Sequence, residues 1–151
     1  MVPITKDGYI VFHKNVAVIS EAISGPGLRA PGCTLINTDL TGNIIREMKE
    51  EFNVDVTKKD ILFYGLTESR PPLSYFHHTL IGKVTTKLNR DELTELWSAA
   101  KDRYEGELEF IKIDYENKSY FKENTSAIGP NSEIILNTIL EKDFLIREVL
   151  S

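Results

Sequence analysis

The sequence lacks most features that would place a chain in a membrane or among disulfide-built folds. It has one cysteine, Cys33, in 151 residues. A lone thiol cannot close an internal disulfide, which argues against a secreted disulfide scaffold. No long apolar run is present, so no membrane-spanning helix is expected. Residues Met1 to Gly8 carry charge and no apolar core, so no secretory leader is expected, and a cytoplasmic location follows. Repeats, low-complexity tracts and interdomain linkers are also missing, which points to one domain over residues 1–151. Neither charge sign is in large excess: 18 Lys and Arg against 23 Asp and Glu leave a net charge of −5. That balance gives no electrostatic reason to bind a nucleic-acid polymer or an anionic membrane. A local pocket for a small phosphate ligand remains open.

What is present is ordinary globular chemistry. Apolar residues make up 41% of the chain and charged residues 27%, which suits a packed core rather than disorder. Short runs rich in Val, Ile and aromatics predict strands at Tyr9 to Phe12 and Val16 to Ile19, as a hairpin or one bent strand. Ser24 to Gly32 holds three glycines and two prolines and predicts a loop. Strands are expected at Ile61 to Leu66 and Ser74 to Thr85, with Pro71 and Pro72 breaking the chain between them. Alternation predicts a further strand at Glu107 to Ile113. Helices are expected from a Thr38 or Asp39 cap to about Phe52, from Asn89 to Tyr104, and from a Ser132 cap to Glu141. The last continues or bends through Asp143 to Leu150. The order is strands, helix, strands, helix, strand, helix. It predicts an α/β fold with a mixed sheet and helices packed on its faces.

The segment Ile44 to Val54 is the most informative. Ile44, Ile45, Met48 and Phe52 recur at spacings of three and four and form the buried stripe. Glu47, Glu50 and Glu51 share another side, again three and four apart. Three clustered carboxylates repel one another, with only Arg46 and Lys49 near enough to offset them locally. A divalent cation offsets them better, and oxygen donors suit Mg²⁺ or Mn²⁺. A Glu-rich helix face is also what a solvated surface looks like.

The wider pattern resembles the Nudix box. That motif runs Gly, five residues, Glu, seven residues, Arg-Glu, an apolar residue, any residue, Glu-Glu, any residue, Gly, an apolar residue. Gly32 stands fourteen residues before Arg46, the family spacing, and Arg46, Glu47, Met48, Glu50, Glu51 and Val54 all match. The lead-in Leu28-Arg29-Ala30-Pro31-Gly32 is similar as well. Two positions depart. Asn53 stands where the family has glycine, and asparagine is the next best tolerated residue at a left-handed helix end. Thr38 stands where the family has its first glutamate, so a carboxylate is lost. Asp39, its neighbour, either supplies one through a shifted loop or merely caps the helix.

The resemblance implies an α/β/α sandwich and a Mg²⁺- or Mn²⁺-dependent hydrolase that cleaves the diphosphate of a nucleoside diphosphate derivative. By the same resemblance, Glu47, Glu50 and Glu51 are metal ligands, with the Gly32 carbonyl as an extra one. Arg46 orients the glutamates. The general base is expected outside the box, at Glu109, with Glu107 and Glu68 as rivals. Pro71 lies seventeen residues past Val54, and a proline near there accompanies ADP-ribose specificity in some relatives. Arg29, Arg70 and Tyr75 are the candidate substrate contacts, while Tyr64 and Phe76 read equally as core aromatics. His77 and His78 are adjacent in a strand and point to opposite faces, which argues against a two-histidine metal site. The apolar tail Phe144 to Leu150 offers a surface for a homodimer. The competing reading is a Nudix-like module that binds a nucleotide or a protein without turnover.

Overall fold

The computed structural model describes residues 1–14, 28–29, 38–69, 77–103, 107–122 and 128–150. Seven strands among them form one sheet: β1 (Val2–Ile4), β2 (Tyr9–Lys14), β3 (Leu28–Arg29), β4 (Ile61–Ser69), β5 (His77–Thr85), β6 (Glu107–Asp114) and β7 (Ser119–Lys122). Three helices accompany them: α1 (Leu40–Phe52), α2 (Arg90–Trp97) and α3 (Pro130–Leu150). Six strands run in the order β4-β5-β1-β2-β6-β7, and β3 pairs with the far end of β2. The β1–β5 pair is parallel and the other pairs are antiparallel, so the sheet is mixed.

Strand alternation divides the core into two layers. Ile10 and Phe12 of β2, Ile111 and Ile113 of β6 and Ile81 of β5 pack with Leu136, Ile139 and Leu140 of α3. Val11, Phe110 and Val84, from the intervening positions, pack with Ile44, Met48 and Phe52 of α1 and Leu93 of α2. Side chains leave a strand on alternate faces, so the same strands serve both layers. Each fully buried aliphatic or aromatic side chain contributes about 1.5–3 kcal/mol. The helices therefore cover both faces of the sheet: α3 on one, α1 and α2 on the other.

The α3 layer contains a buried polar cluster. Asp143 is 4% exposed and accepts from Lys83 Nζ at 2.7 and 2.8 Å. It also accepts from the Tyr64 hydroxyl. The Arg147 guanidinium lies 3.5 Å from the centre of the Tyr115 ring. These contacts tie α3 to β4, to β5 and to the turn after β6. Burial, with the Asp143 carboxylate beside it, pushes the Tyr64 hydroxyl well above the usual tyrosine range.

Several elements differ from expectation for local reasons. β1 and β7 were not expected, being short at three and four residues. The two residues of β3 fall inside the expected loop. α2 ends at Trp97, seven residues early; Ala99 N–H bonds Leu96 O and Ala100 N–H bonds Trp97 O, which turns the chain back. α3 starts at Pro130 and runs unbroken to Leu150. Proline suits the first helical position because its missing N–H would go unbonded there anyway. Ser132 therefore lies inside the helix, buried, rather than capping it. The expected strand at Val16 to Ile19 lies outside the described residues. At the end of α3, Leu145, Ile146, Val149 and Leu150 are exposed, while Phe144 packs edge-on against Tyr115. No helix among the described residues is long and apolar enough to cross a membrane.

Candidate functional site

The site begins with the way α1 is held. Asp39 caps it: Oδ1 accepts from Gly42 N–H at 3.0 Å and from the Thr41 hydroxyl at 3.1 Å. This satisfies a donor that the first turn otherwise leaves open. A Cβ at Gly42 would meet Asp39 Oδ2 at 2.3 Å, so a larger residue there would require the exposed carboxylate to shift. The cap holds the Asp39 carboxyl below the usual carboxylate range, chiefly through the Gly42 amide. Thr38 is exposed just outside. Of the two roles open to Asp39 in the sequence, the structure shows the cap.

At the other end, Asn53 adopts φ 57 and ψ 30, the left-handed region. Its N–H returns to Lys49 O, and Val54 N–H to Met48 O. Asn53 thus takes the conformation that glycine adopts most readily.

Between the two ends, Arg46 gathers two glutamates. Its Nη2 is 2.5 Å from Glu47 Oε1 and its Nη1 is 2.5 Å from Glu50 Oε2. The Arg46 Nε is buried without a hydrogen-bond partner among the described residues. Partial desolvation works against the Arg46 charge, but Glu47 and Glu50 outweigh it and hold the guanidinium more firmly protonated than usual. The other oxygen of Glu50 takes a second cation: Lys101 Nζ lies 2.8 Å from Oε1. Lys101 first, then Arg46, holds the Glu50 carboxyl below its ordinary range.

Glu51 does not share that rim. It is 4% exposed and lies on the packed side of the helix with Met48 and Phe52. The buried ring of His13 stacks on Phe52 with centroids 5.2 Å apart. No three His, Cys, Asp or Glu among the described residues are gathered as a metal-holding group. The structure gathers Glu47 and Glu50 on Arg46 and buries Glu51 on the packed side of the helix.

Glu109 is the register partner of Phe12, whose side chain belongs to the α3 layer. Alternation therefore sends Glu109 to the sheet face opposite α1, away from Glu47 and Glu50. Glu68, a rival for the base, pairs with His78 at 3.0 Å across β4 and β5. Arg29 lies in β3, its backbone in register with His13. Gly32, Arg70, Pro71 and Tyr75 lie outside the described residues.

Two clefts flank this region. One, of about 750 Å³, is lined by Arg90, Thr94 and Trp97 of α2 and by Glu107, Leu108, Glu109 and Phe110 of β6. The other, of about 430 Å³, lies at the end of α1 and is lined by Lys49, Asn53, Asp55, Thr57 and Lys87. Neither is lined by Glu47, Glu50 or Glu51.

Lys101 is the site residue that sequence reasoning missed. It lies 51 positions from Glu50, and no periodicity links a turn to a helix at that distance. No protein-family model matches the chain, and no curated protein matches it.

Proposed function

We propose that the chain is a Nudix-type hydrolase that uses Mg²⁺ or Mn²⁺ to cleave the diphosphate linkage of a nucleoside diphosphate derivative. The observation that carries this reading is the convergence of Glu47 and Glu50 on Arg46, within the Arg-Glu…Glu-Glu order of the box. The left-handed Asn53 at the box glycine position supports it. A mixed sheet with helices on both faces is compatible with the α/β/α sandwich that the reading requires.

The donor set fits a hard divalent cation, because carboxylate oxygens are what Mg²⁺ and Mn²⁺ prefer. Mg²⁺ is often held by one or two carboxylates together with substrate phosphate oxygens. Two convergent glutamates, without a closed cage, suit a cation whose coordination the substrate completes. Glu47 and Glu50 would hold it, and Glu51 and the Gly32 carbonyl are further ligands that the resemblance implies. Bound there, the cation supplies charge neutralisation of the diphosphate and a more acidic water nucleophile.

The chain's own residues position the reaction. Arg46 offsets the repulsion between Glu47 and Glu50 and fixes both through charge-assisted hydrogen bonds. Arg29, Arg70 and Tyr75 are the proposed substrate contacts. ADP-ribose is the first candidate substrate, on the position of Pro71. The proposed setting is cytoplasmic.

One observation favours a second reading, a Nudix-like domain that binds a nucleotide or a protein without turnover. The Asp39 carboxylate is committed to the helix cap, so it does not replace the glutamate that Thr38 lacks. The deciding experiment is product release from ADP-ribose, NADH, dinucleoside polyphosphates, nucleotide sugars and nucleoside triphosphates, with Mg²⁺ and with Mn²⁺. Glu50→Gln and Glu51→Gln proteins are the controls. Metal-dependent turnover that Glu50→Gln abolishes establishes the hydrolase. Well-folded protein that binds a nucleotide but releases no product from any of them establishes the binding module, and Thr38→Glu would then be tested for restored turnover.

A further inference from the structure

The turn after α2 reaches across to α1 and places a lysine on its glutamates. Asp102 N–H donates to the Glu50 carbonyl at 3.0 Å. That carbonyl belongs to the last turn of α1, where helical carbonyls have no partner within the helix. The backbone contact anchors the turn, and Lys101 is thereby held 2.8 Å from Glu50 Oε1.

Glu50 thus has a cation on each carboxylate oxygen, and the two cations are held differently. The Arg46 side chain is 33% exposed and bridges two carboxylates. Lys101 is 69% exposed and carries its charge at the end of a flexible stem. An exposed pair of this kind is worth little, so breaking it costs little. A rigid guanidinium shared by two carboxylates is the harder of the two to remove.

We propose that Lys101 is a tethered counter-ion for the glutamate rim, which neutralises Glu50 when no metal is bound and is the group displaced when a divalent cation takes that oxygen. Lys101 then sets how tightly the site holds metal, by direct competition for Glu50 Oε1. Arg46 remains in place and keeps Glu47 and Glu50 oriented. This inference rests on reading α1 as the metal-holding helix.

The test uses Mn²⁺ alone as the probe, with bound ion read from the loss of the free-Mn²⁺ electron spin resonance signal. The full chain is compared with Lys101→Met, Lys101→Gln, Lys101→Arg and Glu50→Gln. Removing the Lys101 charge is expected to tighten Mn²⁺ binding by about three- to tenfold, the range for losing one nearby exposed charge. Lys101→Arg, which keeps the charge, is expected to stay close to the unmodified chain, and Glu50→Gln to weaken binding sharply. Binding that depends on Glu50 but is equal in the unmodified chain, Lys101→Met and Lys101→Gln would overturn the role of Lys101 and leave the metal reading standing. No Mn²⁺ binding by either the unmodified chain or Lys101→Met would overturn both.

Discussion

Among the described residues, each face of the sheet carries a cluster of ion-paired side chains, and these two clusters differ in what surrounds them. On the α3 face, the buried Asp143 is engaged by Lys83 and Tyr64. On the α1 face, Arg46, Glu47, Glu50 and Lys101 form a similar set of ion pairs at a half-exposed rim. A buried carboxylate that loses its partners must pay the full desolvation of its charge, so such a cluster is fixed. A rim cluster can exchange one cation for another at small cost, because water replaces what is lost. Carboxylates paired with cations therefore form a fastening on one face and, on the proposed reading, an exchangeable site on the other.

The comparison is broken most severely at Asp143. Asp143→Ala leaves the Lys83 ammonium and the Tyr64 hydroxyl without their carboxylate, and is expected to cost about 3–5 kcal/mol in urea unfolding. Replacing Lys83 and Asp143 together by Met and Leu is expected to recover most of that loss, because no buried charge is then left unpaired. The apolar layers, in contrast, are expected to behave alike. Leu136→Ala on the α3 face and Met48→Ala on the α1 face should each cost about 2–5 kcal/mol by the same measurement. A large disparity between them would mean that the faces differ in packing as well as in charge.

Alkaline pH sharpens the contrast further. Burial first, then Asp143, raises Tyr64 above its ordinary value of 10.0, and burial raises Tyr115 in the same direction. A raised value favours the neutral phenol in the folded chain. The stability it contributes is complete below about pH 10 and is lost as pH rises above that, when the unfolded chain ionises and the folded chain does not. Ultraviolet titration should show Tyr64 ionising well above the usual tyrosine range and Tyr115 displaced in the same direction. The rim titrates in the opposite sense: Glu50 is lowered by Lys101 and Arg46, so its small contribution is present above its ordinary value of 4.5 and lost as pH falls. The smallest effect is at the helix end. Asn53→Ala should cost about 1 kcal/mol, for a side chain placed in left-handed backbone, while Asn53→Gly should be close to neutral.

How much of this was legible in the sequence depended on range. α1 was readable because its apolar stripe, its cap at Asp39 and the left-handed tolerance of Asn53 are all local signals. β2, β4, β5 and β6 announced themselves by composition or alternation. β1 and β7 did not, because strands of three and four residues carry too few alternations to stand out, and their pairing with β5 and β6 is set by the tertiary fold. At the candidate site, the nearness of Glu47 to Glu50 could be foreseen from helical spacing, while the part of Arg46 in orienting them came from the resemblance alone. Glu51 shares that spacing yet is buried, because the packed face of α1 is wider than the apolar stripe alone indicates. Glu109 was expected from the resemblance, and in register with Phe12 its side chain leaves the strand on the α3 face. Lys83 with Asp143, and Lys101 with Glu50, join positions far apart in the chain, and only the fold brings them together.

The central claim is that the α1 rim is a site and the α3 cluster a fastening. The most direct test is one crossed measurement: unfolding temperature and metal-dependent nucleotide hydrolysis, both recorded for Glu50→Gln and for Asp143→Asn. The account predicts that Glu50→Gln unfolds with the parent chain but loses about 100-fold or more in turnover, as when a group stabilising the transition state is removed. It predicts that Asp143→Asn unfolds well below the parent, while the fraction still folded turns over at the parent rate. If Glu50→Gln lowers the unfolding temperature and leaves turnover intact, the rim is structural and the account is wrong.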